Sequence, residues 1–478
     1  MFFHQRFIPG LAIYSYMVGD TKTKQVAVVD PTRDVDEYLR IAKAEGLWIT
    51  HILETHVHAD FVSGAAELQA RTGGKAVVCS SGMGGKEWTP PYAKEVIKDG
   101  DQIELGSVRL KAVYTPGHTP EHIAWAVYDD TRSRETPWLM LTGDFLFVGD
   151  VGRPDLLGDE ARKQLAHQLY ESVFKVLPGM PDFTEVYPAH GAGSLCGKDL
   201  GSRASSTLGY ERRFNGSLQA REEAAWVQRL LDGMPIAPPY FRRMKAVNAA
   251  GPKVLGEELP GQRRLTVQDV RNSMGGRDWV LDLRPKEAFA AAHIPGSVNI
   301  PMSPQLPTWA GWVLPGDVSL TLVLDKPTDV AAAGTHLCRV GFDQLSGYLE
   351  GGMEAWEAAG LPLARTETLS VHELAKQLRD GKAQTVLDVR TEGEWNAGHI
   401  DGAQWIHAGQ LGDRLGEVPR DKRVALVCGT GYRASIAASL LERAGLTDTA
   451  NVIGGMTAWK AAGLPVKSEG APGCTARS

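Results

Sequence analysis

The second half of the chain carries one set of short motifs twice, and this repetition limits the fold more than any other feature of the sequence. The second set follows the first by about a hundred residues. The two sets are Asp282-Leu-Arg284, His293-Ile-Pro-Gly296 and Gly351-Gly-Met-Glu-Ala-Trp356, then Asp388-Val-Arg390, His399-Ile-Asp-Gly402 and Gly454-Gly-Met-Thr-Ala-Trp459. A period this long exceeds that of solenoid repeats, so it predicts two copies of one small α/β domain.

The length of 478 residues allows about three domains. We predict an N-terminal domain at 1–240, a linker at 241–264, the repeated copies at 265–364 and 367–467, and a disordered tail at 468–478. The linker stretch is rich in Pro, Gly and charge, and the tail has no apolar pattern. In the N-terminal domain, apolar runs alternate with helix-like stretches, which predicts an α/β layered fold.

The composition excludes several classes of protein. The 51 basic and 57 acidic residues give a net charge of -6, without a basic stripe, so we expect no nucleic-acid partner. The sequence shows no signal-peptide pattern and no apolar run that reaches ~18 residues, so we expect a cytoplasmic protein without a membrane partner. The five cysteines are widely spaced and form no CxxC motif, which favours reduced thiols.

Imidazole and carboxylate side chains recur in the first half at the ends of strand-like runs, where loops can gather metal ligands. They are His56, His58, Asp60, His118, Asp144 and His190. This HxHxD motif with its downstream His, Asp and His resembles the metallo-β-lactamase fold superfamily over residues 1 to about 240, which implies an αββα sandwich. That superfamily usually holds two metal ions. Here Phe61 stands where a histidine would follow the aspartate, so a dinuclear zinc hydrolase is disfavoured.

Within that superfamily, the sequence resembles the persulfide dioxygenase branch. The resemblance implies a single Fe(II) per chain, with Zn as the alternative, held by His56, His118 and Asp144. Two imidazoles and a carboxylate leave three positions open for a persulfide thiolate and dioxygen. His58, Asp60 and His190 are then groups that orient ligands, handle protons or mark a second metal position, unless their use is only structural.

Two further residues of this half are candidates for substrate binding. Arg153, in a segment that looks like the GRxD segment of the same branch, either contacts the carboxylate of a thiol substrate or forms an ion pair with Asp155. Cys196 follows His190 by six residues in a glycine-rich loop, and a similar cysteine occurs in fused relatives of the family. It either packs as an inert thiol or receives and relays sulfur.

In the last copy, the apolar run Val424-Ala-Leu-Val427 comes first. The loop Cys428-Gly-Thr-Gly-Tyr-Arg433 follows it, and a helix-like stretch follows the loop. The backbone N–H groups of Gly429, Thr430, Gly431 and Tyr432 are expected to surround the sulfur and stabilise a thiolate or persulfide. Four residues separate Cys428 from Arg433, which suits a sulfur atom, whereas a cysteine phosphatase would have five. Residues ~367 to 467 resemble a rhodanese, a sulfurtransferase domain, in which Arg433 would stabilise the anionic sulfur or oxyanion.

The middle copy keeps the frame of the repeat and loses the nucleophile. Asp325 stands in the position of Cys428, and a carboxylate cannot carry sulfane sulfur. Cys338 lies about one helix further along and does not replace it. We therefore predict a non-catalytic rhodanese that serves as a spacer, an oligomer interface or a docking surface, and we expect a homo-oligomer.

The order of the three parts resembles bacterial sulfide-detoxifying fusions of a persulfide dioxygenase, an inactive rhodanese and a rhodanese. The resemblance implies oxidation of a low-molecular-weight thiol persulfide by dioxygen to sulfite, and transfer of sulfur through Cys428 to form or use thiosulfate. Two alternatives remain open. One is a zinc thioester hydrolase of the glyoxalase II type fused to a sulfurtransferase, and the other is a sulfur-carrier or persulfide-sensing scaffold.

Overall fold

The computed structural model describes residues 1–219, 222–274, 277–382 and 384–468. The chain divides into two compact units. The first contains residues 1–258 with 338–341, and the second contains 259–337 and the described chain from 342 onward. The predicted disordered tail lies outside the described residues except for Ser468. Among the helices of the described chain, none has the length and apolar character required to cross a bilayer.

The first unit contains two six-stranded sheets. The strands of the first sheet, in spatial order, are β1 (Phe2–Ile8), β2 (Ile13–Asp20), β3 (Gln25–Val29), β4 (Trp48–Leu53), β5 (Val77–Ser81) and β6 (Glu95–Ile97). In the second sheet, strands that follow one another in the chain are also neighbours in space. They are β7 (Gln102–Leu105), β8 (Val108–Tyr114), β9 (Ile123–Asp129), β10 (Leu139–Gly143), β11 (Glu185–Pro188) and β12 (Ser206–Thr207). Strands β3 to β6 run parallel, and so do β10 and β11.

The two sheets pack face to face, because both have one fully apolar face. Val18 and Leu53 from the first sheet share a buried core with Trp125 and Leu141 from the second. The helices of the unit are α1 (Asp36–Ala44), α2 (Ala65–Arg71), α3 (Asp159–Glu171), α4 (Leu208–Phe214), α5 (Glu223–Leu231) and α6 (Tyr240–Ala250). Helices α1 and α2 cover the outer face of the first sheet, and α3 and α5 pack in a separate apolar cluster that includes Val186 of β11. The result is an αββα sandwich, which confirms the predicted fold class.

Helix α6 (Tyr240–Ala250) covers the first ten residues of 241–264, the segment that the Pro and Gly content indicated to be a linker. Its buried residues are Tyr240, Phe241, Met244 and Asn248, and the first unit extends to residue 258. Apolar side chains at three- and four-residue spacing give this segment a face to bury, which a count of Pro and Gly does not detect. The helix therefore belongs to the first unit.

The second unit contains two five-stranded parallel sheets with the same topology. The elements of the first copy are β13 (Arg264–Leu265), α7 (Val267–Ser273), β14 (Asp278–Asp282), α8 (Lys286–Ala291), β15 (Val298–Asn299), α9 (Leu306–Val313), β16 (Ser319–Val323), α10 (Val330–Arg339), β17 (Leu345–Leu349) and α11 (Gly352–Ala358). Those of the second copy are β18 (Glu367–Leu369), α12 (Val371–Arg379), β19 (Gln384–Asp388), α13 (Glu392–Asn396), β20 (Gln404–Trp405), β21 (Arg423–Val427), α14 (Tyr432–Arg443), β22 (Thr449–Val452) and α15 (Gly455–Ala461). The prediction of two copies of one α/β domain is confirmed.

Candidate active sites

Three buried side chains of the first unit come together at the ends of strands. His56 follows β4, His118 follows β8 and Asp144 follows β10. One ligand atom from each lies within 4.8 Å of the others, and all three residues are at most 2% exposed. These are the three residues that sequence analysis assigned as metal ligands. Their ligand atoms lie close enough together to hold a metal ion.

Hydrogen bonds orient both imidazoles in this cluster. The Thr55 hydroxyl donates to Asp30 at 2.8 Å, so it can accept the Nδ1 proton of His56 at 2.9 Å. Nδ1 of His118 lies 2.9 Å from the carbonyl oxygen of Arg153, to which it donates. Each ring therefore presents an unprotonated Nε2 to the site, as a metal ligand must.

The carboxylate of Asp144 is fully buried, and neither of its oxygens has a hydrogen-bond partner. Nε2 of His118 lies 3.4 Å from one oxygen and Nε2 of His190 lies 3.3 Å from the other, although His190 Nε2 also has no hydrogen bond. Buried polar atoms without partners are rare in proteins. Lone pairs that converge in this way fit a bound cation, so the donor set agrees with a metal ion at this position.

The charges of the cluster also suit a metal ion. Burial lowers the pKa of His56 and of His118, so both imidazoles are neutral near pH 7. Burial alone would raise the pKa of Asp144, but His190 and His118 lower it by more, to well below its usual value. Two neutral nitrogen ligands and one anionic oxygen ligand result.

A second buried group lies beside the first. Ligand atoms of Asp60, His190 and Cys196 also lie within 4.8 Å of one another. Nε2 of His190 lies 3.5 Å from an oxygen of Asp60, and burial raises the pKa of the Cys196 thiol to about 12 although His190 lowers it. Cys196 is therefore adjacent to the metal cluster, in a position that is compatible with a sulfur relay or with a second metal.

His58 takes no part in either cluster. Its Nε2 lies 3.1 Å from Asp30, and the ring packs 4.4 Å from that of Phe61. Burial lowers the pKa of His58, but Asp30 raises it by more, to about 9. His58 therefore lies against Asp30 and outside both groups of ligand atoms, which favours the structural alternative.

Arg153 is buried, and its guanidinium group forms hydrogen bonds with other groups of the protein. It donates to Asp155 at 2.7 and 2.8 Å and to the carbonyl oxygens of Leu195 and Pro235 at 2.9 and 2.8 Å. Of the two alternatives from the sequence, this geometry favours the ion pair. The Arg153 carbonyl, rather than its side chain, contacts the metal cluster through His118.

Sequence analysis missed two groups that support the cluster. Nε2 of His122 accepts a hydrogen bond from the backbone N–H of Asp144 at 3.0 Å, and burial lowers the pKa of His122 to about 3. The Asn248 amide donates to the carbonyl oxygens of His58 and Phe61, and accepts from the Ser63 N–H. His122 lies four residues after His118, a spacing that could have drawn attention to it, whereas Asn248 carries no local signal.

A cavity of about 130 Å³ reaches the metal cluster at His118. Its wall is apolar at Leu156, Leu157 and Phe241, and it carries the basic side chains of Arg242 and Lys245 from α6. Lys245 also lies over the ring of Trp88, with its Nζ 4.0 Å from the ring centre. The cavity thus combines an apolar wall with positive charge.

The second candidate site lies at the carboxyl end of β21, in the last copy. Cys428 is buried, and its Sγ accepts a hydrogen bond from the Gly431 N–H at 3.0 Å. Gly431 has a φ of 99°, a conformation that favours glycine, and α14 begins at the next residue. The strand, loop and helix arrangement expected around this cysteine is present.

The Gly-Gly-Met motif of the last copy forms backbone hydrogen bonds with this loop. The backbone N–H of Met456 donates to the Cys428 carbonyl at 2.7 Å, and that of Thr457 donates to the Gly429 carbonyl at 3.0 Å. A Cβ atom at Gly455 would lie 2.1 Å from the Cys428 carbonyl oxygen. Only glycine permits this approach, which explains the motif in the active copy.

Arg433 forms an ion pair with an acidic residue that was not predicted from the sequence. Its guanidinium forms two hydrogen bonds with Glu394, at 2.5 and 2.7 Å. The positive charge expected to stabilise an oxyanion is thus partly neutralised. The Tyr432 hydroxyl lies against the Pro301 carbonyl and the Ser303 hydroxyl in the middle copy. Tyr432 therefore contributes its backbone, and not its ring, to the Cys428 loop.

In the middle copy, the expectation that Asp325 takes the position of Cys428 is wrong by one residue. Asp282 pairs with Val323 as Asp388 pairs with Val427, so the buried Leu324 occupies that position. Asp325 is exposed and lies between β16 and a 3₁₀ turn at Pro327–Asp329. Arg284 pairs with Asp282 at 2.6 Å, as Arg390 pairs with Asp388 in the last copy. The frame of the repeat is therefore the same in both copies, and the loop differs.

Comparisons with known proteins agree with this architecture. Residues 8–190 match the family model of the Metallo-beta-lactamase superfamily, and residues 266–359 and 370–462 match that of the Rhodanese-like domain. The chain is 28% identical over 216 residues to the mitochondrial persulfide dioxygenase ETHE1 of Bos taurus, covering 45% of this chain and 74% of that protein. It is 30% identical over 212 residues to a probable metallo-hydrolase of Burkholderia pseudomallei (strain 1710b), covering 38% of this chain and 70% of that protein.

A solved structure extends the likeness beyond the first unit. A metallo-beta-lactamase from Staphylococcus aureus subsp. aureus COL superposes with a TM-score of 0.64 at 34% identity, covering 73% of this chain and 98% of that one. The chain therefore belongs to the metallo-β-lactamase superfamily, has persulfide dioxygenase relatives, and carries two rhodanese-like domains after its metallo-β-lactamase domain.

Proposed function

We propose that the first unit is a non-haem Fe(II) persulfide dioxygenase and that the last copy is a rhodanese. The dioxygenase oxidises a low-molecular-weight thiol persulfide to sulfite, and the rhodanese transfers sulfur through Cys428. The observation that carries the first assignment is the buried cluster of His56, His118 and Asp144, with two neutral imidazoles and one carboxylate. That donor set is the one found in Fe(II) oxygenases, and the persulfide dioxygenase relative supports it.

The balanced reaction converts RSSH, O₂ and H₂O to RSH, sulfite and two protons. The S–S bond breaks, and the four electrons lost by sulfur reduce O₂. Fe(II), when bound, would supply the open coordination positions and the electron transfer that side chains lack. Thr55 and the Arg153 carbonyl keep the two imidazoles in place through their Nδ1 atoms. We assign the proton of the persulfide to the Asp60 carboxylate, whose Oδ2 atom lies 3.5 Å from Nε2 of His190.

The cavity at His118 suggests which persulfide binds. Arg242 and Lys245 supply positive charge on one side, and Leu156 and Phe241 supply an apolar wall on the other. A thiol carrier that bears a carboxylate or phosphate group would satisfy both.

In the rhodanese, the Cys428 thiolate attacks the outer sulfur of thiosulfate. The S–S bond of thiosulfate breaks and sulfite leaves with the electron pair, so a Cys428 persulfide anion remains and no oxidant is needed. The reverse step uses sulfite as the acceptor. The Gly431 N–H, 3.0 Å from Sγ, stabilises the anionic sulfur. Sulfite from the first unit is thus a natural acceptor for the second.

One observation favours a second candidate function. Asp60, His190 and Cys196 form a group with the spacing of a second metal site, and one relative is a probable metallo-hydrolase. A dinuclear zinc centre that hydrolyses a thioester would use both groups of ligands. In that case, the protein would show thioester hydrolysis and no oxygen uptake.

Two variants of the full-length protein separate the proposed activities. Asp144→Ala should lose iron and persulfide-dependent oxygen uptake while thiosulfate sulfurtransferase activity remains. Cys428→Ser should show the opposite pattern, and Cys338→Ser should keep both activities. Loss of both activities in either single variant, at an unchanged melting temperature, would contradict the assignment of two independent sites.

A further inference from the structure

The loop that carries Cys428 is enclosed partly by the middle copy, which lacks a nucleophile of its own. The Cε atom of Lys286 lies 3.2 Å from the place that a Cβ at Gly431 would occupy. The Tyr432 hydroxyl contacts Ser303 and the Pro301 carbonyl at 3.0 and 3.1 Å. These contacts involve the two residues that precede Arg433. The middle copy therefore forms part of the wall around the sulfur-transfer site.

His407 lies at this boundary and has no role in the mechanism described so far. It follows β20, and its neighbours Ile406 and Ala408 bond to the backbone of Asp388 and Val389 at the end of β19. It thus lies at the same carboxyl edge of the parallel sheet as Cys428. In open parallel sheets, ligands bind at this edge.

The imidazole of His407 is almost completely buried, and one of its nitrogen atoms lacks a hydrogen-bond partner. The residue is 6% exposed, and its Nδ1 has no hydrogen-bond partner. The ring of Trp312 packs edge-on at 5.0 Å, and that of Trp309 lies 6.1 Å away. Both tryptophans belong to α9 of the middle copy. A buried polar atom without a partner needs an explanation, and a bound water, ion or ligand is one.

The contact with Trp312 fixes the His407 segment closely. A Cβ atom at Gly409 would lie 2.2 Å from the indole ring of Trp312. Only glycine at that position allows α9 to approach the backbone of residues 408–410. Internal alignment adds a second difference between the copies, because Pro301 occupies in the middle copy the place that His407 has in the last copy. The copy with the nucleophile is also the copy with the imidazole.

The electrostatic surroundings keep this imidazole neutral. Burial lowers the pKa of His407 to about 4, to which Arg433 contributes, while Glu394 opposes the shift. A neutral imidazole can donate one hydrogen bond without adding charge. The guanidinium of Arg433 is already paired with Glu394. A neutral donor beside a neutralised cation suits the oxygen atoms of a small sulfur oxyanion.

We propose that His407 binds the sulfonate oxygens of thiosulfate and of sulfite at the Cys428 site, and that Trp312 of the middle copy positions its imidazole. This inference rests on the proposed rhodanese function. It gives the middle copy a defined task, which is to complete the substrate site of its neighbour. His407 is a binding residue, and Trp312 is a positioning residue.

The first experiment measures thiosulfate binding to the full-length Cys428→Ser protein by calorimetry. Adding His407→Phe retains the ring and removes both nitrogens, so affinity should fall about 10- to 100-fold, the range for a hydrogen bond to a charged group. Adding His407→Asn, which keeps a donor, should recover most of the affinity. His372→Asn, at an exposed histidine of α12, is the control. Unchanged affinity in the folded His407→Phe protein would overturn the inference.

Kinetics on the protein with Cys428 intact test the positioning role. Trp312→Leu should raise the KM for thiosulfate and for sulfite while kcat changes less than about threefold, because the imidazole loses its fixed orientation and the nucleophile does not. An unchanged KM for both substrates would overturn this part. A variant that merely unfolds would lower kcat and the melting temperature together.

A third measurement does not depend on how the His407 and Trp312 variants fold. In the Cys428→Ser protein with ¹⁵N-labelled histidine, the imidazole resonance of His407 should shift as thiosulfate is added, and no shift would overturn the inference. The proposed function has a separate test. If the wild type forms no persulfide on Cys428 with thiosulfate, the sulfur-transfer proposal fails, and this inference fails with it. If the persulfide forms and His407→Phe binds normally, only the inference fails.

Discussion

The ring of Phe61 packs 4.4 Å from the ring of His58, and the His58 Nε2 lies 3.1 Å from Asp30. Asp30 raises the pKa of His58 to about 9 despite burial. Of the two histidines in the HxHxD motif, His56 lies in the cluster with His118 and Asp144 and His58 does not.

The first prediction concerns metal stoichiometry. We expect Phe61→His to add an imidazole next to Asp60 in the chain and so raise zinc content from about one ion toward two ions per chain. Phe61→Leu, which adds no ligand, should leave the stoichiometry unchanged. Elemental analysis after zinc loading measures both variants. An unchanged ratio in Phe61→His would mean that Phe61 is not what limits the second position.

The second prediction concerns Asn248, which is 1% exposed and makes three hydrogen bonds at 2.7 to 2.9 Å to the His58 to Ser63 loop. Asn248→Ala leaves these buried groups unpaired, so we expect a loss of about 2–4 kcal/mol in the free energy of unfolding and weaker metal binding. Asn248→Asp keeps the acceptor for Ser63 and should keep part of the stability. Urea unfolding with and without metal measures both effects, and wild-type stability in the alanine variant would contradict the role of α6.

The third prediction uses the pair of Glu394 and Arg433. Burial raises the pKa of Glu394, but Arg433 lowers it by more, from 4.5 to about 2. A carboxyl group with a lowered folded pKa stabilises the fold above its unfolded value and loses that contribution as the pH falls. The melting temperature of the wild type should therefore exceed that of Glu394→Gln by a constant amount above pH 4.5, and the difference should disappear toward pH 2.

The same variant should also change substrate binding. Without its acidic partner, Arg433 attracts thiosulfate more strongly, so the KM of Glu394→Gln should fall several-fold at low salt and less at high salt. Glu392→Gln, an exposed neighbour on α13, is the matched control. A KM that rises in Glu394→Gln would show that the pair, rather than free Arg433, binds the substrate.

The fourth prediction concerns the middle copy. Introducing sulfur with Leu324→Cys in the Cys428→Ser background should give no sulfurtransferase activity. Asp282 pairs with Val323 as Asp388 pairs with Val427, so Lys326 and Pro327 stand in the places of Thr430 and Gly431. Proline lacks the N–H that Gly431 donates to Sγ, and its ring excludes the φ of 99° that Gly431 adopts. Mass spectrometry after thiosulfate treatment tests this, and a persulfide on the introduced cysteine would contradict it.

The sequence predicts the parts of this protein that repeat or that carry rare side chains. The two copies follow from recurring Asp-x-Arg and Gly-Gly-Met motifs, and the metal cluster from histidines and aspartates that end strands. Contacts between distant residues leave no such trace. The bonds from Asn248 to the His58 loop, and the packing of Trp312 on His407, join positions that are far apart in the chain and depend on tertiary packing.

Local chemistry limits prediction in another way. The sequence left Arg153 open between a substrate contact and an ion pair, and it predicted Arg433 only as a group that stabilises the anionic sulfur or oxyanion, because the partners of an arginine depend on which acceptors lie nearby. Arg153 is bound by Asp155 and two carbonyl groups, and Arg433 is bound by Glu394. Only the folded chain supplies those acceptors. Helix α6 escaped notice for a similar reason, since the Pro and Gly residues around it masked its apolar face.

The most direct test of the account is the reaction of Fe(II)-loaded full-length protein with a thiol persulfide in an oxygen electrode, with sulfite quantified afterwards. We predict one iron per chain, held by His56, His118 and Asp144, and one O₂ consumed for each sulfite formed. Two zinc ions per active chain, with thioester hydrolysis and no persulfide-dependent oxygen uptake, would contradict it.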